Sequence, residues 1–163
     1  RQFLEEEPNL LLRDNVKMHF TASAWVLNPS KNKVLMLYHN IYQSWSWSGG
    51  HADGEGDLLS VAMKEVKEES GLVSLKPLSD SPISIEILGV QPHYKKQKYV
   101  SAHLHLNYTF LLHNTKEEKL KICPEENSKV GWLSPDEAVR SSTEAWMKPI
   151  YKKLNQKMKE YLE

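Results

Sequence analysis

The sequence predicts a layered α/β fold, with helices packed on both faces of a central sheet. Three observations carry this. Apolar and polar residues alternate over 17–28 and again, at greater length, over 100–112. An amphipathic helix with a stop signal at each end is written over 58–70. Two more helix-patterned segments, 135–140 and 144–162, follow the last strand signal. At 163 residues the chain is expected to form a single domain, residues 1–163, and to hide about two thirds of its surface on folding.

The elements follow in order. Residues 1–15 are acidic and then leucine-rich at Leu10, Leu11 and Leu12, which suggests a short helix. His19 to Leu27 reads as a strand, Asn28-Pro29-Ser30-Lys31-Asn32 as a turn, and Lys33 to Tyr38 as a second strand, so 20–38 is expected to be a hairpin. Trp45-Ser46-Trp47 leads into Gly49-Gly50. Asp57 is a good N-cap for a helix from Leu58 to Ser70, and Gly71 a good C′ stop. Its apolar stripe, Leu58, Leu59, Ala62, Met63 and Val66, should pack on the sheet. Residues 77–82 read as a loop, 83–90 as a strand, and 91–98 as a polar, basic loop near the site. The strand at 100–112 places His103, His105, Asn107 and Thr109 on one face and Leu104, Leu106, Tyr108 and Phe110 on the other. Val130 to Leu133 is a short final strand.

Composition excludes several functions. Lys plus Arg equals Asp plus Glu at 21 each, so no basic excess argues for a nucleic-acid polymer and no acidic tail for a charged partner. Apolar residues at 40% and charged residues at 26% are ordinary for a soluble domain. No apolar run approaches the roughly 20 residues of a membrane span. The single cysteine, Cys123, rules out an internal disulfide framework and suits a reducing cytoplasm. The expectation is a cytoplasmic monomer or homodimer acting on a small molecule. The Asn107-Tyr108-Thr109 sequon lies in a strand and carries no weight.

The most informative stretch is 49–72, where a Gly-Gly-His turn feeds the capped helix. Glu65, Glu68 and Glu69 stand three and four apart, so they share one helix face. Three like charges repel unless a cation sits among them. Hard divalent cations, Mg²⁺ above all with Mn²⁺ as the alternative, are held by carboxylates together with substrate phosphates. A solvated Lys/Glu face is the usual meaning of such charges, but it does not explain the Gly-Gly-His turn or Gly71.

This stretch resembles the Nudix box: Gly, five residues, Glu, seven residues, Arg-Glu, an aliphatic, any residue, Glu-Glu, any residue, Gly, an aliphatic. Gly50 takes the first position, and Glu65, Val66, Glu68, Glu69, Gly71 and Leu72 fill later ones at the required spacing. Two positions depart. The box glutamate six after Gly50 is Gly56, with Glu55 one place early, and the box arginine is Lys64. In the family those two side chains are thought to brace the loop, so losing both leaves no orphan charge. Lysine is a poorer bidentate partner than arginine. The resemblance implies a Nudix-type α/β/α sandwich around a mixed sheet. It implies a hydrolase that cleaves a diphosphate bond in a nucleoside diphosphate linked to another moiety, or in a similar phosphorylated metabolite. Glu65, Glu68 and Glu69 would hold the metal, with the Gly49 carbonyl as a further ligand.

The family usually adds an acid from outside the box, as general base or extra ligand. The segment 124–132 resembles the one that carries it, and Glu126 is the choice, with Glu125 or a solvated loop acid as alternatives. His51 is expected to touch loop or phosphate. His103 and His105 share a strand face and His93 could join them, which would suit Zn²⁺ if they converged. With no cysteine or third histidine nearby in sequence, they are expected to line the substrate cleft and not to bind zinc. Trp45, Trp47, Tyr42 and Tyr94 could stack on a base, against a core role for the tryptophans; Trp47 is retained as a substrate contact. The 95–98 run could meet phosphates or simply be solvated. Two other functions stay open. Gly56 and Lys64 allow a non-catalytic phosphate-ligand module on the same fold. An isopentenyl-diphosphate-type isomerase shares the fold but needs a reactive cysteine near the site, and Cys123 lies outside the box.

Overall fold

The computed structural model describes residues 9–95 and 97–163. Residues 9–15 form turns rather than the expected short helix, and 1–8 lie outside the described residues. The strands are β1 (Met18–Leu27), β2 (Val34–His39), β3 (Ser44–Ser46), β4 (Ser48–His51), β5 (Leu75–Pro77), β6 (Ser84–Val90), β7 (His93–Lys95), β8 (Lys98–Val100), β9 (His103–Asn114) and β10 (Asn127–Leu133). The helices are α1 (Leu58–Ser70), α2 (Pro135–Ser141) and α3 (Met147–Leu162).

The main sheet is mixed, in the order β10-β2-β1-β9-β5, with β3 joined to β2, β4 to β1 and β6 to β9. Its spine is the parallel pair β1 and β9, in register from Met18 opposite Leu104 to Leu27 opposite His113. Alternation along β1 feeds two cores. Ala22, Ala24 and Val26 face α1 and pack with Val61, Ala62, Val66 and Phe110. Trp25 and Leu27 face α2 and α3 and pack with Ala138, Tyr151 and Leu154. The result is the α/β/α sandwich expected from the sequence.

Three expectations need correction. The hairpin over 20–38 closes only at Leu27 opposite Val34. Beyond that pair the strands splay, because β4 takes the edge of β1 from Thr21 to Ala24 and β3 pairs with β2. The 91–98 loop is a small β7-β8 ribbon, with Tyr94 opposite Tyr99 and their rings 5.5 Å apart. The last helix begins at Met147, not 144. No helix among the described residues is long and apolar enough to cross a membrane.

Candidate metal and substrate site

Helix α1 forms where the sequence places it. The Asp57 side chain accepts from the Ser60 N–H, and Gly71 ends the helix in the left-handed region at φ 74°. Its buried stripe fixes its rotation, and that rotation turns Glu65 and Glu69 toward β4. Side chains of β4 alternate. Ser48 and Gly50 face α1, where the Ser48 hydroxyl donates to Glu69 Oε2 at 2.5 Å. Gly50 lies directly under Glu65: a Cβ there would stand 2.3 Å from the Glu65 carboxyl carbon. Only glycine allows that approach. The Gly49 N–H also donates to Glu69 Oε2, at 3.2 Å.

Glu126 joins this group from the turn that leads into β10, the edge strand of the main sheet. It sits in a turn whose Glu126 and Asn127 N–H groups both donate to the Cys123 carbonyl. The Glu126 carbonyl accepts from Asn40, and the buried Asn127 amide donates to the Glu69 carbonyl at 3.1 Å. The turn is thereby tied to the end of α1, which leaves the Glu126 carboxyl near enough to Glu69 for the two charges to repel.

The electrostatics match a crowded anionic site. Glu69 is 4% exposed. Burial raises its pKa well above the carboxylate range, the Ser48 hydroxyl opposes this, and Glu126 and Glu65 push it further up. Glu65 is raised by burial, then by Glu68 and Glu126. Glu68 is exposed and meets Lys64 at 3.7 Å. Among the described residues no ion pair neutralises Glu65, Glu69 or Glu126. A buried Glu69 clustered with a half-buried Glu65 and an exposed Glu126, none of them in an ion pair among the described residues, fits a divalent metal.

The two departures from the box pattern leave the loop well held. Lys64 has Glu68 as its partner, and Glu55 accepts from the Asp57 N–H at 2.8 Å. Bracing comes from the N-terminal segment. Arg13 forks onto both oxygens of Asp53, with Nε to Oδ1 at 2.6 Å, and the Gly54 N–H donates to the Leu11 carbonyl. Asp53 and Gly54 take φ of 49° and 94°, so this turn needs outside support. Arg13 also senses Glu65 and Glu126. The sequence reading missed it, since nothing local links residue 13 to residue 53.

The opposite face of β4 carries His51. It meets His105 with ring centroids 4.9 Å apart and His19 at 5.0 Å. His103 stands 4.9 Å from His19 and 5.0 Å from His105. No third histidine lies near His103 and His105 in sequence, but the fold brings two more beside them: His19 from β1 and His51 from β4. A sequence signal for His19 existed, because His19, Thr21 and Ser23 place polar groups at every second position of an otherwise apolar strand. His105 is pushed far below the usual imidazole range, first by burial and then by His51, His19 and His103. His93 lies apart on β7, its ring bonded to the Gln91 carbonyl.

Trp47 is half-buried, its ring edge-on to Tyr151 at 5.6 Å, and it also lines a cleft of about 260 Å³ with Tyr42, His105, Glu144 and Trp146. Trp47 thus packs partly against the core and partly against the cleft. A larger groove of about 370 Å³ runs between α2 and α3 and contains none of these residues.

Comparison with known proteins agrees with this geometry. The family model described as the NUDIX domain matches residues 17–154. Among solved structures, an Ap4A hydrolase from C. elegans superimposes with a TM-score of 0.63 at 18% identity, covering 84% of this chain and 95% of that one. A NUDIX-family hydrolase from Clostridium perfringens gives 0.63 at 18% identity, covering 89% and 98%. The E. coli dihydroneopterin triphosphate pyrophosphohydrolase gives 0.59 at 17%, covering 82% and 92%. No curated protein matches the sequence significantly.

Proposed function

Because this chain belongs to the Nudix family, we propose that it is a divalent-metal-dependent hydrolase of a diphosphate bond in a nucleoside diphosphate linked to another moiety, or in a similar small phosphorylated metabolite. The observation that carries this reading is the clustering of Glu65 and Glu126 about the buried Glu69, with no ion pair to a cation among the described residues. Glu65, Glu68 and Glu69, with the Gly49 carbonyl, would hold Mg²⁺ or Mn²⁺. The bound ion would polarise a phosphoryl oxygen and acidify bound water.

The chain's own residues do the rest. Ser48 and the Gly49 N–H hold the Glu69 carboxyl in one orientation. Glu126, exposed at the rim and held by its turn, would take a proton from the attacking water or bind a further ion. The cleft beside Trp47, Tyr42 and Trp146 offers aromatic surface for a base or other flat group.

The test is release of phosphate or pyrophosphate from a panel of nucleoside and sugar diphosphates and triphosphates, with Mg²⁺ and with chelator. Metal-dependent turnover of at least one member is expected. Binding without turnover across the panel would overturn the hydrolase reading in favour of a binding module.

A further inference from the structure

We propose that His19, His51 and His105, with His103 as a fourth donor, form a second metal site, selective for Zn²⁺ and chemically separate from the carboxylate cluster. The argument starts from convergence. One ring nitrogen from each of His19, His51 and His105 lies within 4.8 Å of the others. His103 Nε2 stands 3.1 Å from His105 Nε2. Two nitrogens on a tetrahedral zinc, each about 2.0–2.1 Å from the metal, stand about 3.3 Å apart. His103 and His105, hydrogen-bonded to one another at 3.1 Å, are near that spacing, and the nitrogens of His19, His51 and His105 need to close in by up to about 1.5 Å.

The hydrogen-bond chemistry points the same way. His19 Nδ1 lies 3.1 Å from the Asn15 carbonyl, and His103 Nδ1 lies 2.8 Å from the Ser101 carbonyl. A carbonyl only accepts, so each Nδ1 carries the proton and each Nε2 presents a lone pair. This is the outer-shell pattern that fixes the tautomer of a metal-binding histidine. His19 Nε2 is buried and finds no hydrogen-bond partner among the described residues. Leaving a buried ring nitrogen unsatisfied is unfavourable. The parallel register of β1 on β9 sets His19 directly beside His105. A metal bound here would satisfy this lone pair.

The donor set decides the ion. Imidazole nitrogen suits Zn²⁺ and its late first-row neighbours, whereas Mg²⁺ and Mn²⁺ prefer carboxylate and water oxygens. The two faces of β4 therefore sort metals: Gly50 faces the acids, and His51, one residue on, faces the imidazoles. Zinc here would pin β1, β4 and β9 together where the box loop begins.

The experiment uses untagged full-length chain, stripped with chelator, exposed to zinc chloride in excess Mg²⁺, and passed through a desalting column before zinc is measured. About one zinc per chain is expected in wild type and in Glu68→Gln. His51→Gln and His105→Gln should each lower retention by about tenfold or more, since loss of even an outer-shell partner typically costs about 10–100-fold. Cobalt loading of the wild type should give the visible absorption of a four-coordinate nitrogen site, which needs no variant to fold. Three results overturn the proposal: no zinc retained by the wild type, zinc that survives both histidine changes, or zinc lost in Glu68→Gln. Because none of these readouts is activity, failure here is distinct from failure of the hydrolase reading.

Discussion

Gly50 and the carboxyl of Glu65 occupy one another's space: a methyl group on Gly50 would stand 2.5 Å and 2.6 Å from the two Glu65 oxygens. The glycine is thus the floor of the carboxylate site. Gly50→Ala should leave the sheet intact, because β4 pairing uses the backbone, and it should swing Glu65 off α1's inner face. The expected outcome is a fall in turnover of tenfold or more with a higher Mg²⁺ requirement, read by titrating Mg²⁺ against rate. Wild-type metal dependence in Gly50→Ala would refute the placement of Glu65.

Glu69 and Glu68 separate stability from metal binding. Replacing Glu69 by Gln removes a buried acid that Glu126 and Glu65 crowd, and its amide oxygen still accepts from Ser48. In chelator the variant should melt no lower than wild type. With Mg²⁺ at about a hundred times the dissociation constant, the wild type should gain about 2.7 kcal/mol, and Glu69→Gln should lose most of that gain. Glu68→Gln, at an exposed position, should change chelator-state stability by less than about 0.5 kcal/mol and still lose metal-dependent turnover. Paired thermal melts and rates at limiting Mg²⁺ decide it.

Glu126 and Glu125 are neighbours with different surroundings. Glu126 reaches Glu69, and its backbone is anchored by Asn40 and Cys123. Glu126→Gln should lower kcat by about a hundred- to ten-thousand-fold, the usual reach of general-base help, with little change in KM. Glu125→Gln is the matched control and should stay near wild type. The reverse pattern would move the role to Glu125.

The Arg13–Asp53 fork is half-exposed, at 52% and 46%, so its direct contribution to stability is under about 1 kcal/mol. Arg13 holds the Asp53 carboxyl below its ordinary value. For a depressed carboxylate the contribution is present above the unfolded pKa and lost as pH falls through the folded one. The gap in melting temperature between wild type and Arg13→Ala should therefore be visible at pH 7 and shrink below pH 4, by about the same amount as the gap between wild type and Asp53→Asn. A gap that persists in acid would show that Arg13 acts by packing alone.

The sequence by itself determined the local half of this protein. Asp57, the apolar stripe and Gly71 specify α1 within its own 15 residues, and the 3.6-residue period then puts Glu65, Glu68 and Glu69 together with no help from the rest of the chain. Strand alternation likewise assigned His103, His105, Asn107 and Thr109 to one face, because the period of two is a property of the extended backbone. Tertiary structure decided everything that depends on which strand lies beside which. The parallel register of β1 on β9 sets His19 beside His105, 86 positions away, and the pairing of β4 with β1 brings in His51. The β10 turn carries Glu126 to Glu69 across 57 positions, and the N-terminal turn carries Arg13 to Asp53. Local pattern cannot encode such contacts. Register is fixed by the packing of whole faces against α1 on one side and α3 on the other, and only the folded sheet sums those preferences into one arrangement.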